Sequence, residues 1–213
     1  MNHPDDRPAG SVTRELGQRE HEGRLVHALV AARVTGADRE ELWDALTNAG
    51  RIPKWFLPIS GDLRAGGSYQ LEGNAGGEII ACEPPGRFAL TWRMHGDVSW
   101  VTVTLSEMPE ERTEVRLEHL AQFPQEFWEE FGPGAVGIGW DMALFGLDQH
   151  FASDPAVVPE TTEAWVASEE GKDFARRSSA AWCEASIALG TDAAAARAAA
   201  DRVTAFYTGE DAP

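Results

Sequence analysis

Basic residues are scarce in this chain. Eighteen Lys and Arg stand against 35 Asp and Glu, a formal charge of −17 over 213 residues. Phosphate backbones and anionic lipid surfaces are held through clusters of Lys and Arg, so neither nucleic acid nor a membrane surface is an expected partner. Long apolar runs are also missing. No stretch reaches the roughly 18 residues of a membrane-spanning helix, and the opening MNHPDDRPAG has no apolar signal core; the expectation is a cytoplasmic protein with no membrane insertion. Cysteine is limited to Cys82 and Cys183, whose separation fits no zinc or redox spacing, and both are read as small buried hydrophobes. The six histidines form neither H-x-x-x-H nor H-x-H. There is no G-x-S-x-G, no P-loop and no G-x-G-x-x-G after a strand, and the glycine-rich residues 134–139 lack the Lys and Ser or Thr of a phosphate loop. No metal, no nucleotide and no cofactor is expected, and no catalytic residue is assigned.

What is present is a regular alternation followed by helical periodicity. Residues 1–23 are polar and without period, and are read as a mobile N-terminal tail. Residues 24–34, RLVHALVAARV, read as the first and longest strand, with Val26, Ala28, Val30, Ala32 and Val34 on one face. Asp38 with Glu41 three residues on predicts a capped short helix through Leu42, Trp43, Ala45 and Leu46. A second helical turn, RIPKWFLP, is punctuated by Pro53 and Pro58. From Ile59 the period changes to two. Phe88, Leu90, Trp92 and Met94 share one face, as do Val101, Val103 and Leu105, and then Val115, Leu117 and His119. Arg87 and Arg93 fall on the opposite side of their strand, as do Glu114, Arg116 and Glu118.

In residues 135–151, AVGIGWDMALFGLDQHF, Val136, Trp140, Ala143, Leu144, Leu147 and Phe151 form one stripe at helical spacing. Gly137, Gly139 and Gly146 interrupt this helix at about 1 kcal/mol each relative to Ala; close backbone approach and room for a ligand are the two explanations. Asp154, Pro155 and Pro159 mark a linker. A helical stripe of Phe174, Ala181, Trp182, Ala185 and Leu189 follows, then an Ala-rich helix capped by Thr191 with Ala199, Val203 and Phe206 as its ridge. The expected divisions are a tail at 1–23, a main domain at 24–153 and a helical hairpin extension at 154–213.

The segments LWDALTNAGRIPKWFLP, GGEIIACEPPGRFALTWR, VTVTLSEMPEERTEVRLEH and the GW followed by Leu144 and Leu147 resemble the activator of heat-shock-protein-90 ATPase homologue family, part of the START-like, helix-grip (SRPBCC) superfamily. The resemblance covers about residues 24–151. It implies an α+β fold in which a curved antiparallel sheet grips a long C-terminal helix, with an elongated apolar cavity between them. The C-terminal extension lies outside it.

The cavity is expected to be lined by Trp55 and Phe56, Leu71, Leu90 and Trp92, Val103, Leu117 and His119, and by Trp140 and Leu144 of the gripped helix. His119 points inward, where a general acid or base could meet a ligand or a satisfied ring could simply pack. His95 sits in a turn. Asp141 is expected to face solvent, because neighbouring helix positions point about 100° apart and Trp140 is inside. Three functions follow: binding of a small hydrophobic or amphipathic molecule, which is the preferred reading; a cavity-based enzyme of the cyclase, aromatase or hydrolase kind; and a co-chaperone-like regulator of an ATPase. The Ala-rich hairpin is expected to pack against its own sheet or against a second subunit, and a homodimer is a further expectation.

Overall fold

The computed structural model describes residues 12–152 and 163–210. Eight strands make one antiparallel sheet in the order β1-β2-β8-β7-β6-β5-β4-β3. They are β1 (Val12–His21), β2 (Arg24–Thr35), β3 (Ile59–Gly61), β4 (Ser68–Leu71), β5 (Gly76–Glu83), β6 (Arg87–Met94), β7 (Asp97–Met108) and β8 (Arg112–Ala121). Helix α1 (Arg39–Thr47) and a 3-10 turn (Ile52–Lys54) connect β2 to β3. After β8 come α2 (Gln125–Phe131), α3 (Gly134–Ala152), α4 (Glu163–Val166), α5 (Glu169–Ala188) and α6 (Ala193–Thr208). This is the α+β helix-grip arrangement that the family resemblance implies.

The register places Leu16, Leu29, His119, Val101, Leu90 and Ile79 in one row across six strands. Paired residues point to the same side of a sheet, so this row and the parallel row Ala31, Leu117, Val103 and Phe88 form one apolar face. Helix α3 lies on that face with Ile138, Trp140, Ala143, Leu144 and Leu147, and α1 adds Leu42 and Ala45. The cap of α1 is as the spacing predicts: the Asp38 carboxylate accepts from the Glu41 amide at 2.9 Å.

Four expectations need correction, and the register fixes which side of the sheet the small-residue face of β2 takes. Residues 12–21 are not a mobile tail but the edge strand β1, paired along its whole length with β2; residues 1–11 and the linker residues 154–159 lie outside the described residues. The strand escaped recognition because an edge strand carries charge rather than an apolar alternation: Glu15 and Arg19 line its outer side, while Arg14, Leu16 and Gln18 point inward. The face of β2 bearing Val26, Ala28, Val30, Ala32 and Val34 is the outer one, since the inner rows pass through Leu29 and Ala31. These small residues are nonetheless buried. The register sets them among Glu15, Arg116, Arg19 and Glu118, which pair with one another, Arg116 to Glu15 through two bonds of 3.0 Å, so that long charged side chains cover the short apolar ones.

Asp141 is not solvated but 3% exposed. It does lie about 100° round the helix from Trp140, but α3 is covered on that side too, by α5. The ridges of the extension also differ. Leu189 and Phe206 are exposed, 50% and 80% respectively, whereas Ala175, Ser178, Ser179, Trp182 and Cys183 of α5 and Ala196, Ala199 and Val203 of α6 are buried. The N-cap of α6 is Asp192, which accepts from Ala194 and Ala195 at 3.0 Å; Thr191 instead takes the Ser186 hydroxyl at 2.9 Å.

The helix glycines have separate reasons. A Cβ on Gly137 would stand 2.3 Å from the Trp182 indole, so this position admits α5; a Cβ on Gly139 would meet the Tyr207 hydroxyl at 3.6 Å, an ordinary contact. Gly137→Ala is therefore expected to destabilise the protein by about 2 kcal/mol through overpacking, despite the better helix propensity of Ala. Gly139→Ala is expected to be neutral or to stabilise by up to about 1 kcal/mol. Urea denaturation midpoints of the two variants check this; equal shifts would remove the packing account of Gly137.

Candidate functional site

Two chambers open between the sheet and α3. The inner one, about 120 Å³, is enclosed almost wholly by apolar side chains, and the outer one, about 500 Å³, has a mixed lining. Nine of the ten residues expected from the sequence border the inner chamber: Trp55 and Phe56 after the 3-10 turn, Leu71 of β4, Leu90 and Trp92 of β6, Val103 of β7, Leu117 of β8, and Trp140 and Leu144 of α3. His119 borders the outer chamber, and Phe56, Trp92 and Trp140 border both. Trp92 and Trp140 meet edge to face with centroids 4.8 Å apart, which makes them the partition between the two spaces. Trp55 also braces the fold, since its indole N–H donates to the Ala45 carbonyl at 3.0 Å and fixes the turn against α1.

The environment of His119 decides what it can do. Trp140 Nε1, which can only donate, lies 3.0 Å from His119 Nδ1, so Nδ1 is the unprotonated nitrogen. The neutral ring then carries its proton on Nε2 and donates to Ser99 Oγ at 2.7 Å, and Ser99 in turn donates to the Trp92 carbonyl at 3.1 Å. Both ring nitrogens are occupied. Burial lowers the pKa of His119 to about 4, so the ring is neutral near pH 7 and holds Trp140 and Ser99 in place. This is the packed, satisfied ring rather than the acid or base.

Other polar groups stand apart from this relay. Tyr69 donates to the Thr91 carbonyl at 2.9 Å, and burial raises its pKa. His95 occupies the β6–β7 turn with φ 54, beside Asp97 at the rim of the outer chamber. Arg93 lies on the outer side, 3.7 Å from Glu78. Among the described residues no group of three or more His, Cys, Asp or Glu is gathered as metal ligands would be, and no helix is long and apolar enough to cross a membrane.

Sequence reasoning missed Ser99, Phe123, Phe127 and Tyr207, all of which border the outer chamber. Ser99 was within reach: it has the parity of Val101 and Val103, and extending that alternation back by one step finds it. Tyr207 follows Val203 by four residues, so the ridge spacing of 196, 199 and 203 continues to it rather than to Phe206.

His119 yields a pH prediction. Its folded-state pKa of about 4 lies below the ordinary value of 6.5, so the unfolded chain takes up the proton first as pH falls. The stabilisation is complete above pH 6.5 and is lost between 6.5 and about 4, by an amount on the order of 3 kcal/mol. In His119→Gln the decrease in Tm between about pH 7.5 and pH 5 should be smaller than in the wild type; an equal decrease would show that His119 does not titrate in this way.

Residues 36–152 match the family described as Activator of Hsp90 ATPase homolog 1-like protein. Among curated proteins none matches the sequence. Among solved structures, CalU16 from Micromonospora echinospora is similar in both its crystal and its solution form. The crystal structure is 31% identical, with a TM-score of 0.66, 82% of this chain and 98% of that chain covered. The solution structure is 30% identical, with a TM-score of 0.71 and 86% and 99% covered. Coverage of that extent exceeds residues 36–152, so the likeness runs on into elements outside the family segment. Protein MLL2253 from Mesorhizobium loti is 25% identical, with a TM-score of 0.52 over 59% of this chain and 96% of that one. With the gripped helix, the curved sheet and the sequence match in agreement, the chain belongs to the activator of Hsp90 ATPase homolog 1-like family of the START-like superfamily.

Proposed function

We propose that this protein binds a small hydrophobic or amphipathic molecule in the space between sheet and α3, without transforming it. The observation that carries this reading is the pair of adjoining chambers, whose walls come from β4, β6, β7, β8, α3 and the turn after α1. An apolar recess with a few polar groups suits a ligand whose surface is removed from water, at about 25 cal/mol per Å² of apolar area buried. The histidine best placed for acid–base chemistry supports holding over catalysis, because both nitrogens are already bonded and its pKa lies far below neutrality. Regulation of an ATPase rests on the family description alone.

The neutral dye N-phenyl-1-naphthylamine tests the proposal through its fluorescence enhancement. Saturable one-to-one uptake is expected, accompanied by quenching of tryptophan emission as the dye approaches Trp92 and Trp140. Leu144→Trp projects extra volume into the inner chamber and should weaken uptake about tenfold, equivalent to about 1.4 kcal/mol, in a protein that still melts cooperatively. Non-saturable uptake by the wild type would overturn the assignment of this space, and uptake unchanged by Leu144→Trp would remove the inner chamber from it.

A further inference from the structure

The outer chamber is completed by a residue from outside the family segment. Helix α6 crosses back over the start of the gripped helix, anchored where Arg202 Nε donates to the Glu130 carbonyl of α2 at 2.7 Å. From its last turn, Tyr207 joins Ala135, Val136 and Gly139 of α3 in the chamber wall. Its hydroxyl reaches the Ala135 carbonyl at 3.4 Å and lies beside the Gly139 backbone. That distance is long for an O–H···O bond, normally about 2.5–3.0 Å, and the Ala135 carbonyl and Gly139 amide stand four residues apart, as partners in the helix's own bonding pattern. The hydroxyl is thus held by one long bond, which its single proton can exchange for a better-placed acceptor, and an acceptor lone pair remains to it. The other inward hydroxyl, Ser99, already gives its proton to Trp92 and accepts from His119.

The chemistry of the remaining wall narrows the occupant. Aromatic rings dominate it, among them Phe56, Trp92, Phe123, Phe127 and Trp140, and none of its described lining residues is Lys or Arg. Asp97 stands at its rim and the whole chain carries a charge of −17. A carboxylate or phosphate would meet no Lys or Arg among those described residues, whereas a flat uncharged ring system stacks against several faces and edges. A volume of about 500 Å³ falls within the range of small-molecule sites.

We propose that Tyr207 is the hydrogen-bonding contact that selects the occupant of the outer chamber, and that this occupant is an uncharged aromatic molecule bearing a hydroxyl or carbonyl group. Through Tyr207 the C-terminal helical extension is part of the binding site rather than an independent appendage. The inference rests on the cavity-binding reading above and adds to it the class of ligand and the residue that recognises it.

Three probes of one ring size test it by isothermal titration: 2-naphthol, naphthalene and 2-naphthoate. Wild-type protein should prefer 2-naphthol to naphthalene and bind 2-naphthoate least. Tyr207→Phe, which keeps the ring and removes the hydroxyl, should weaken 2-naphthol about fivefold, within the range of one net hydrogen bond, and leave naphthalene within about twofold. A melting curve for Tyr207→Phe shows whether the fold is intact. Tyr207→His, which restores a hydrogen-bonding group to the side chain, should recover part of the preference for 2-naphthol. Unchanged 2-naphthol affinity in Tyr207→Phe, or an equal loss for naphthalene, overturns the role of Tyr207 while the cavity reading stands. Tightest binding of 2-naphthoate overturns the ligand class. Absence of saturable uptake of any probe by the wild type overturns the cavity reading and this inference together.

Discussion

Asp141 joins three stretches of chain that are far apart in sequence. One carboxylate oxygen, Oδ2, accepts from Arg14 Nε of the edge strand at 2.8 Å, from the Ser178 hydroxyl, and from Trp182 Nε1 at 3.0 Å, the last two on α5. The side chain is almost fully buried, and burial raises its pKa against the pull of those three donors. A carboxylate in such a place is tolerated because three donors converge on it; removing its charged partner Arg14 would leave a desolvated charge behind, at a cost of about 3–5 kcal/mol. The edge strand and the C-terminal extension therefore depend on the same atom of the gripped helix. Neither is a detachable addition.

This shared anchor explains why α3 lacks the simple one-sided pattern of a helix lying on a sheet. Trp140, Ala143, Leu144 and Leu147 meet the strands, while Gly134, Gly137 and Asp141 meet α5 and α6. Gly137 is left bare so that the indole of Trp182 can approach and reach Asp141. A second ion pair, Arg33 Nη2 to Asp148 Oδ2 at 2.5 Å, ties the other end of α3 to β2. With the helix held at both ends and on both sides, the space beside it is set by large side chains that cannot close up. The tryptophan pair 92 and 140 then divides that space into an apolar inner part and an outer part with polar groups at its margin.

The same packing bears on chemistry. A buried histidine facing a cavity suggests catalysis when seen alone. In place, its two nitrogens are bound to Trp140 and Ser99, and its charge is suppressed by desolvation. What it contributes is orientation, holding the indole of Trp140 at the partition. The proposal of a binding protein rests on the paired chambers and is supported by that economy of free polar groups, and the role proposed for Tyr207 follows from the long bond its hydroxyl makes.

Local periodicity determined much of this protein. The alternation at 88–94, 101–105 and 115–119 set the inner face of three strands, the stripe through Trp140, Leu144 and Leu147 set the side of the helix they meet, and the Asp38–Glu41 spacing set a cap. These follow from a single element's geometry, in which residues two, or three and four, apart share a side. Tertiary structure alone decided the rest. The strand at 12–21 has no apolar period because its neighbour and a distant aspartate satisfy it. Asp141 looks like a solvated residue until α5 is laid over it, and Tyr207 reaches the outer chamber only because the chain folds back across some seventy residues. Sequence spacing records which residues share a face; which second surface comes to cover that face depends on contacts between remote segments, and those are set only when the whole chain packs.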